Sequence, residues 1–349
     1  LGFQFSVVKN FPFDFWLDDI SLIIDDPTVA APDPPPATPG GYHVVGNQVL
    51  TGDGTPYLFH GMHRPSLEWA EVGDNQSKED FELMKSWGAN VVRMGLNQAF
   101  WLRSPGYKDT VDQNVRWAQA SGLDVILDLH WSDRGEDGVA AQQRVADKNS
   151  LIFWQELADI YKDNQRILFE LYNEPHHVTW DVWRDGGDSG DGFEAVGMQD
   201  MYDVVRATGA QNLVLIGGID YAYDLSGVAT HAVTGDNIIY ASHPYDTKER
   251  LPDNWPTAWA YLAPTYPLML SEFGLIDVWG LAPGTCNDSA YVQQAIDYAN
   301  QLKVSWAGYA WYPEPDLSRP CSFPSLINDW TGTPSPIGVI VKTELGKLK

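Results

Sequence analysis

The sequence predicts an α/β chain whose main body is a (β/α)8 TIM barrel, and three observations predict it. Eight apolar runs suited to buried parallel strands begin near Tyr57, Asn90, Leu123, Arg166, Leu213, Ile238, Pro267 and Ser305, with amphipathic or polar helical stretches between them. Eight such units over about 300 residues match that barrel in count and size. Six of the runs end in polar side chains, as expected where the carboxyl ends of barrel strands build a site. The turn after the first run also lacks the Gly-x-Gly-x-x-Gly phosphate loop of an open doubly wound sheet, the competing architecture.

Ahead of the barrel, residues 1–24 carry two β-like runs, Phe3 to Val8 and Phe13 to Ile24. Two strands cannot form a stable unit alone. The segment resembles the closing strand of a β-sandwich carbohydrate-binding module, which would make it the C-terminal remnant of such a module; a hairpin packed on the neighbouring domain is the other reading. Residues 25–41 run from Asp25-Asp26-Pro27 through Pro34-Pro35-Pro36 to Gly40-Gly41, a composition that predicts an extended, semi-rigid linker. The barrel then occupies residues 42–349. Lys78 to Trp87 and Asp109 to Ser121 place apolar residues three and four apart, as helices of the outer ring should. The second run ends at Arg93, the third at Leu127-Asp128-Leu129-His130-Trp131 and the fourth at Asn173-Glu174-Pro175. The sixth reads Ser242-His243-Pro244-Tyr245, the seventh Ser271-Glu272 and the eighth Tyr309-Ala310-Trp311. Singly, a histidine or arginine here is ordinary hydrogen-bonding furniture; jointly, polar endings on six strands are hard to explain by packing.

Composition narrows the partners. A formal charge of -25 on 349 residues repels nucleic acid and anionic membrane surfaces alike. A neutral polymer meets no such barrier, and 15 Trp supply indoles that can stack on sugar rings, although most indoles in any chain serve packing. No apolar run is long enough to span a bilayer, and no basic segment followed by an apolar one opens the chain. A start at Leu1 rather than Met indicates a chain processed or cut from something longer. Cys286 and Cys321, expected in loops on one face, are read either as an extracellular disulfide or as two reduced thiols.

The chemistry rests on two stretches. Ile167 to Pro175 is an apolar run that ends in Asn173, Glu174 and a proline that cannot extend the ladder. Tyr266 to Gly274 repeats the design around Glu272. Two carboxylates at the ends of separate buried strands are what glycosidic bond cleavage needs: one protonates the leaving oxygen, and the other attacks the sugar carbon or activates a water. With Asn173-Glu174-Pro175 on the fourth strand and Ser271-Glu272-Phe273-Gly274 on the seventh, residues 42–349 resemble the family 5 glycoside hydrolases of clan A. The resemblance implies a retaining enzyme with Glu174 as acid/base and Glu272 as nucleophile, supported by Arg93, His130, Asn173, His243, Tyr245 and Trp311. Arg93 and Tyr245 are expected to favour the ionised nucleophile. Proximity to that charge is expected to raise the pKa of Glu174. Asn173 is expected at the sugar 2-hydroxyl, and Trp311 beneath the distorted ring.

The expected activity is a secreted, monomeric, endo-acting β-1,4-glucanase that needs no metal or cofactor. Mannan, glucomannan, xyloglucan or mixed-linkage glucan are alternative substrates for the same chemistry, and a catalytically dead carbohydrate-binding barrel is the alternative from another class. Trp69, Trp131, Trp180 and Trp279 are candidate sugar platforms, with Trp101 and Trp183 in or near the same loops. The acidic loop Asp185 to Asp191 spaces its carboxylates by three, unlike the alternate-residue pattern of an EF-hand.

Overall fold

A computed structural model of the chain describes residues 41–133, 140–246, 250–275, 289–315 and 323–348. The β segment and most of the linker predicted over residues 1–41, together with Trp279, Cys286 and Cys321, lie outside the described residues.

Eight parallel strands close on themselves: β1 His60–Arg64, β2 Val91–Asn97, β3 Asp124–Asp133, β4 Ile167–Glu170, β5 Val214–Gly217, β6 Ile238–Ser242, β7 Leu268–Leu270 and β8 Ser305–Gly308. Each pairs with the next in sequence, and β8 returns to β1, with Trp306, Ala307 and Gly308 beside His60, Gly61 and Met62. The barrel is therefore complete, with β7 and β8 among its shorter staves. The first run divides differently from the expectation. Pro56–Tyr57 pairs antiparallel with Gln48–Leu50, which pairs with His43–Val45, and the barrel strand starts only at His60. This three-stranded sheet brings Tyr42 and Val49 against the barrel's inner apolar layer.

Alternation along the strands sorts the side chains. Val91, Ile126, Leu168, Ile239, Met269 and Ala307 form that inner layer, while their neighbours Val92, Leu127, Phe169, Tyr240, Leu270 and Trp306 pack outward under the helices. Two residues further on, the inward positions become Arg93, Asp128, Glu170 and Ser271, all buried. The polar site is thus the top layer of the same inward-facing stack.

The outer ring holds the staves in register. Ser77 caps helix Lys78–Trp87 by accepting from the Asp80 amide, and Gly88 ends it in a left-handed turn. Asp147 and Ser150 cap Lys148–Tyr161 reciprocally. The first helix falls where its apolar spacing predicts, and the second, Tyr107–Ala120, starts two residues before the expected Asp109.

Candidate active site

Arg93 is the hub of the site. It points inward from β2 and is fully buried. Its Nε donates to Glu170 Oε2 at 2.6 Å, and Nη2 to Asn173 Oδ1 at 2.8 Å and Asp128 Oδ2 at 3.0 Å. Nη1 reaches Glu272 Oε1 and, at 2.9 Å, His63 Nδ1. One planar fork therefore organises three carboxylates, an amide and an imidazole, which a lysine's single ammonium could not do. Tyr245, just past β6, donates its hydroxyl to the other Glu272 oxygen at 2.6 Å. Both Glu272 oxygens are thereby held by donors, with the side chain itself barely exposed.

Glu174 sits opposite. One of its oxygens, one of Glu272 and a ring nitrogen of His243 lie within 4.8 Å of one another. Glu174 Oε1 meets His243 Nδ1 at 3.1 Å, and Gln142 donates to Oε2 at 3.1 Å. Asn173 spends its oxygen on Arg93, which aims its amide nitrogen towards His130 Nε2, 3.5 Å away. His130 is braced by Asp128 at 2.6 Å. Gly95 on β2 leaves room for that ring: a Cβ there would lie 3.0 Å from His130.

The charge states follow from these contacts. Burial pulls His243 down, but the carboxylates of Glu272, Glu170 and Glu174 around it, the last in a hydrogen bond, raise it to about 9. Burial likewise opposes, and Asp128 overrides it, in raising His130 to about 9. Glu174 departs from the expectation of a raised pKa: burial pushes it up, yet the hydrogen bond and charge of His243, with Gln142, hold it down at about 2. Proximity to Glu272 is the reason the sequence offers for a raised value; the cation 3.1 Å away outweighs it. Glu170 is similarly held at about 2, because Arg93 and His243 outweigh its burial.

These shifts fix a pH dependence of stability. The two histidines have folded values above the ordinary 6.5, so their contribution is complete below about 6.5 and lost as pH rises through about 9. Glu170 has a folded value below the ordinary 4.5, so its contribution is complete above about 4.5 and lost as pH falls through about 2. Melting temperatures measured across pH are expected to plateau between those limits; a maximum above pH 9 would contradict these assignments.

Of the predicted supporting residues, Arg93, His130, Asn173, His243 and Tyr245 converge on the two glutamates, and Trp311 does not. Its indole is fully buried outside the barrel wall, edge-on to Trp87 at 4.7 Å, and donates to Asp80 Oδ1 at 2.7 Å. Strand β8 ends at Gly308, so alternation no longer governs position 311. Tyr309, two residues earlier, is the eighth-strand aromatic that faces the site. Its ring stacks on His63 at 4.7 Å, meets Tyr245 edge-on at 6.3 Å, and feels the charge of Glu272.

Among the candidate platforms, Trp69 and Trp131 come together at 6.3 Å, each half-buried, and Asp74 braces Trp69 Nε1 at 2.9 Å and Tyr312 at 3.0 Å. Trp180 packs instead on Trp183, at 5.0 Å, and over Gly227, where a Cβ would collide with its ring at 2.2 Å. Trp101 and Trp183 are buried, donating to Glu156 and to the Gly217 carbonyl. In the acidic loop, Asp188 accepts from the Gly190 amide and Asp191 pairs with Arg144. Sequence reasoning missed His63, Gln142 and Glu170, and took Tyr309 only as part of the eighth strand's ending. Glu170 left a signal, since a carboxylate in the middle of an apolar strand demands a buried cation.

Two carboxylates this close, one just past the end of β4 and one just past the end of β7, suit the cleavage of a glycosidic bond. The comparisons agree. The model of the cellulase family, glycosyl hydrolase family 5, matches residues 50–315. The chain belongs to that family. It is 23% identical over 277 residues to Endoglucanase E-5 of Thermobifida fusca, covering 76% of this chain and 54% of that protein. It is 25% identical over 290 residues to Endoglucanase MaCel5A of Microbulbifer sp. (strain ALW1), covering 79% and 52%. The chain thus spans about half the length of these curated relatives. In fold it is similar to the β-glucanase SdGluc5_26A of Saccharophagus degradans, with a TM-score of 0.72 at 24% identity over 88% of this chain and 93% of that one.

Proposed function

We propose that the protein is a retaining endo-β-1,4-glucanase acting outside the cell. The observation that carries this reading is the closeness of the two carboxylates, within 4.8 Å by their nearer oxygens. That spacing suits direct attack on the sugar and is too short to seat a water between carboxylate and anomeric carbon, as inversion requires.

In the first step Glu272 forms a bond to the anomeric carbon while Glu174 gives its proton to the departing glycosidic oxygen. In the second, Glu174 takes a proton from water, the water oxygen attacks the same carbon, and Glu272 leaves as carboxylate. Arg93 and Tyr245 aim the nucleophile, and the Asn173 amide nitrogen, whose contact with His130 is long at 3.5 Å, has a second hydrogen to offer a sugar hydroxyl. Tyr309 forms the floor of the central subsite, and the Trp69–Trp131 pair continues the cleft as a stacking wall. The β-glucan assignment is supported by the names of the relatives and by a similar structure, a β-glucanase in complex with cellotetraose. Action outside the cell follows from the size of such polymers.

The test is product release from soluble β-glucans, mannans and xylans, with Glu272→Ala alongside. Short oligosaccharides from β-1,4-glucan, absent with the variant, are expected; binding without cleavage of any polymer would sink the reading. Trp69→Ala is expected to raise KM on long glucans about 3- to 10-fold while leaving kcat within about twofold, because stacking on a remote ring holds ground and transition states alike. Kinetics on cello-oligosaccharides of increasing length check this.

A further inference from the structure

Ser271 lies between two groups that line the site. Its hydroxyl donates to Glu170 Oε1 at 2.8 Å and stands 2.9 Å from His243 Nε2. A serine hydroxyl has one proton, and with that proton given to Glu170 only lone pairs face the imidazole. His243 Nε2 must therefore carry hydrogen and donate to Ser271. This fixes the tautomer and leaves Nδ1 as the variable position, 3.1 Å from Glu174 Oε1 and 3.8 Å from Glu272 Oε2. The short contact with Glu174 contains one proton, held either by the ring or by the carboxyl.

We propose that His243 stores the catalytic proton on Nδ1 in the resting enzyme and releases it through Glu174 as Glu272 loses its charge. This rests on the retaining mechanism above. The groups facing the ring are Glu170 and Glu174 from β4 and its end, Ser271 and Glu272 just past β7, and more distantly His63 on β1; Arg93 ties Glu170 and Glu272 together. Three carboxylates around one imidazole favour the cation, against the pull of burial. When Glu272 becomes an ester, one of those charges vanishes and the ring's hold on its proton weakens.

The steps balance. In glycosylation the Nδ1–H bond breaks, an O–H bond forms on Glu174, and that proton passes to the glycosidic oxygen, which keeps the electron pair of its breaking bond to carbon. In deglycosylation water gives a proton to Glu174 as its oxygen bonds to the anomeric carbon. The ester pair returns to Glu272, and the restored charge draws the proton back to Nδ1. Acid and nucleophile are thus coupled through one imidazole. His243 acts through Glu174 and is a positioning and proton-holding residue.

Nitrogen-15 NMR of histidine-labelled wild type, without substrate at pH 7, should find both His243 nitrogens protonated. Glu272→Gln should lower the titration of that ring by roughly one unit or more. A neutral ring protonated only at Nε2 in the wild type would overturn the proposal. With aryl cellobiosides, His243→Asn should lose roughly 100-fold on poor leaving groups and less than about threefold on 2,4-dinitrophenyl cellobioside, which departs without a proton. An equal loss on both overturns it. A wild type inert on every such substrate would refute the β-glucanase reading instead, while the NMR result would still decide where the proton rests.

Discussion

Glu272→Ala is expected to fold and to lose roughly 10⁴- to 10⁶-fold in kcat, about 5 to 8 kcal/mol of transition-state stabilisation. The loss is large because no other group can form the bond to the anomeric carbon. Folding survives because Arg93 keeps Asp128 and Glu170 as partners when Glu272 is removed. The vacated space next to Arg93 can admit a small anion. Added azide should therefore restore turnover and give an α-glycosyl azide, the product of a single inversion. In Glu174→Ala the order reverses: the glycosyl-enzyme still forms from an activated substrate, and azide attacks it to give the β-azide. Opposite anomers from the two variants would assign the two roles independently. The same anomer from both would contradict the assignment.

Arg93→Ala should have the largest effect on stability. It leaves Asp128, Glu170 and Glu272 facing one another in the barrel without their shared cation. Breaking a buried ion pair costs about 3 to 5 kcal/mol, and here three are broken at once, so melting should fall by roughly 10 °C or more. Arg93→Lys restores the charge without the fork, and should recover part of the stability and little of the activity. Thermal melts and kcat/KM for the three proteins check this; an Arg93→Ala variant melting within about 2 °C of wild type would mean that the network is not held by its cation.

Much of this architecture is legible in the sequence, for identifiable reasons. The fourth and seventh strands announce themselves because each apolar run stops at a glutamate followed by a residue that releases the chain, and those glutamates do face one another. The start of β1 was harder to read, since Pro56–Tyr57 and His60–Arg64 are nearly continuous in sequence yet belong to different sheets. Trp311, which the family resemblance singles out, lies beyond Gly308, where the strand has already ended, and its indole packs on Trp87 outside the barrel wall. The low-lying Glu174 was invisible for another reason: His243 is brought to it by a strand two places round the barrel, and nothing in the spacing of 174 and 243 encodes a 3.1 Å contact. Arg93 was identified as a supporting residue, but the number of its carboxylate partners emerges only when β2, β3, β4 and β7 close around it.

A double displacement at Glu272 assisted by Glu174 leaves its mark in the stereochemistry of the product. Proton NMR of a fresh digest of cellotetraose or soluble β-glucan, read before the anomers interconvert, should show the β-anomer of the new reducing end appearing first. Early release of the α-anomer would contradict the account, because it would require a single displacement by water that the closely set carboxylates leave no room to seat.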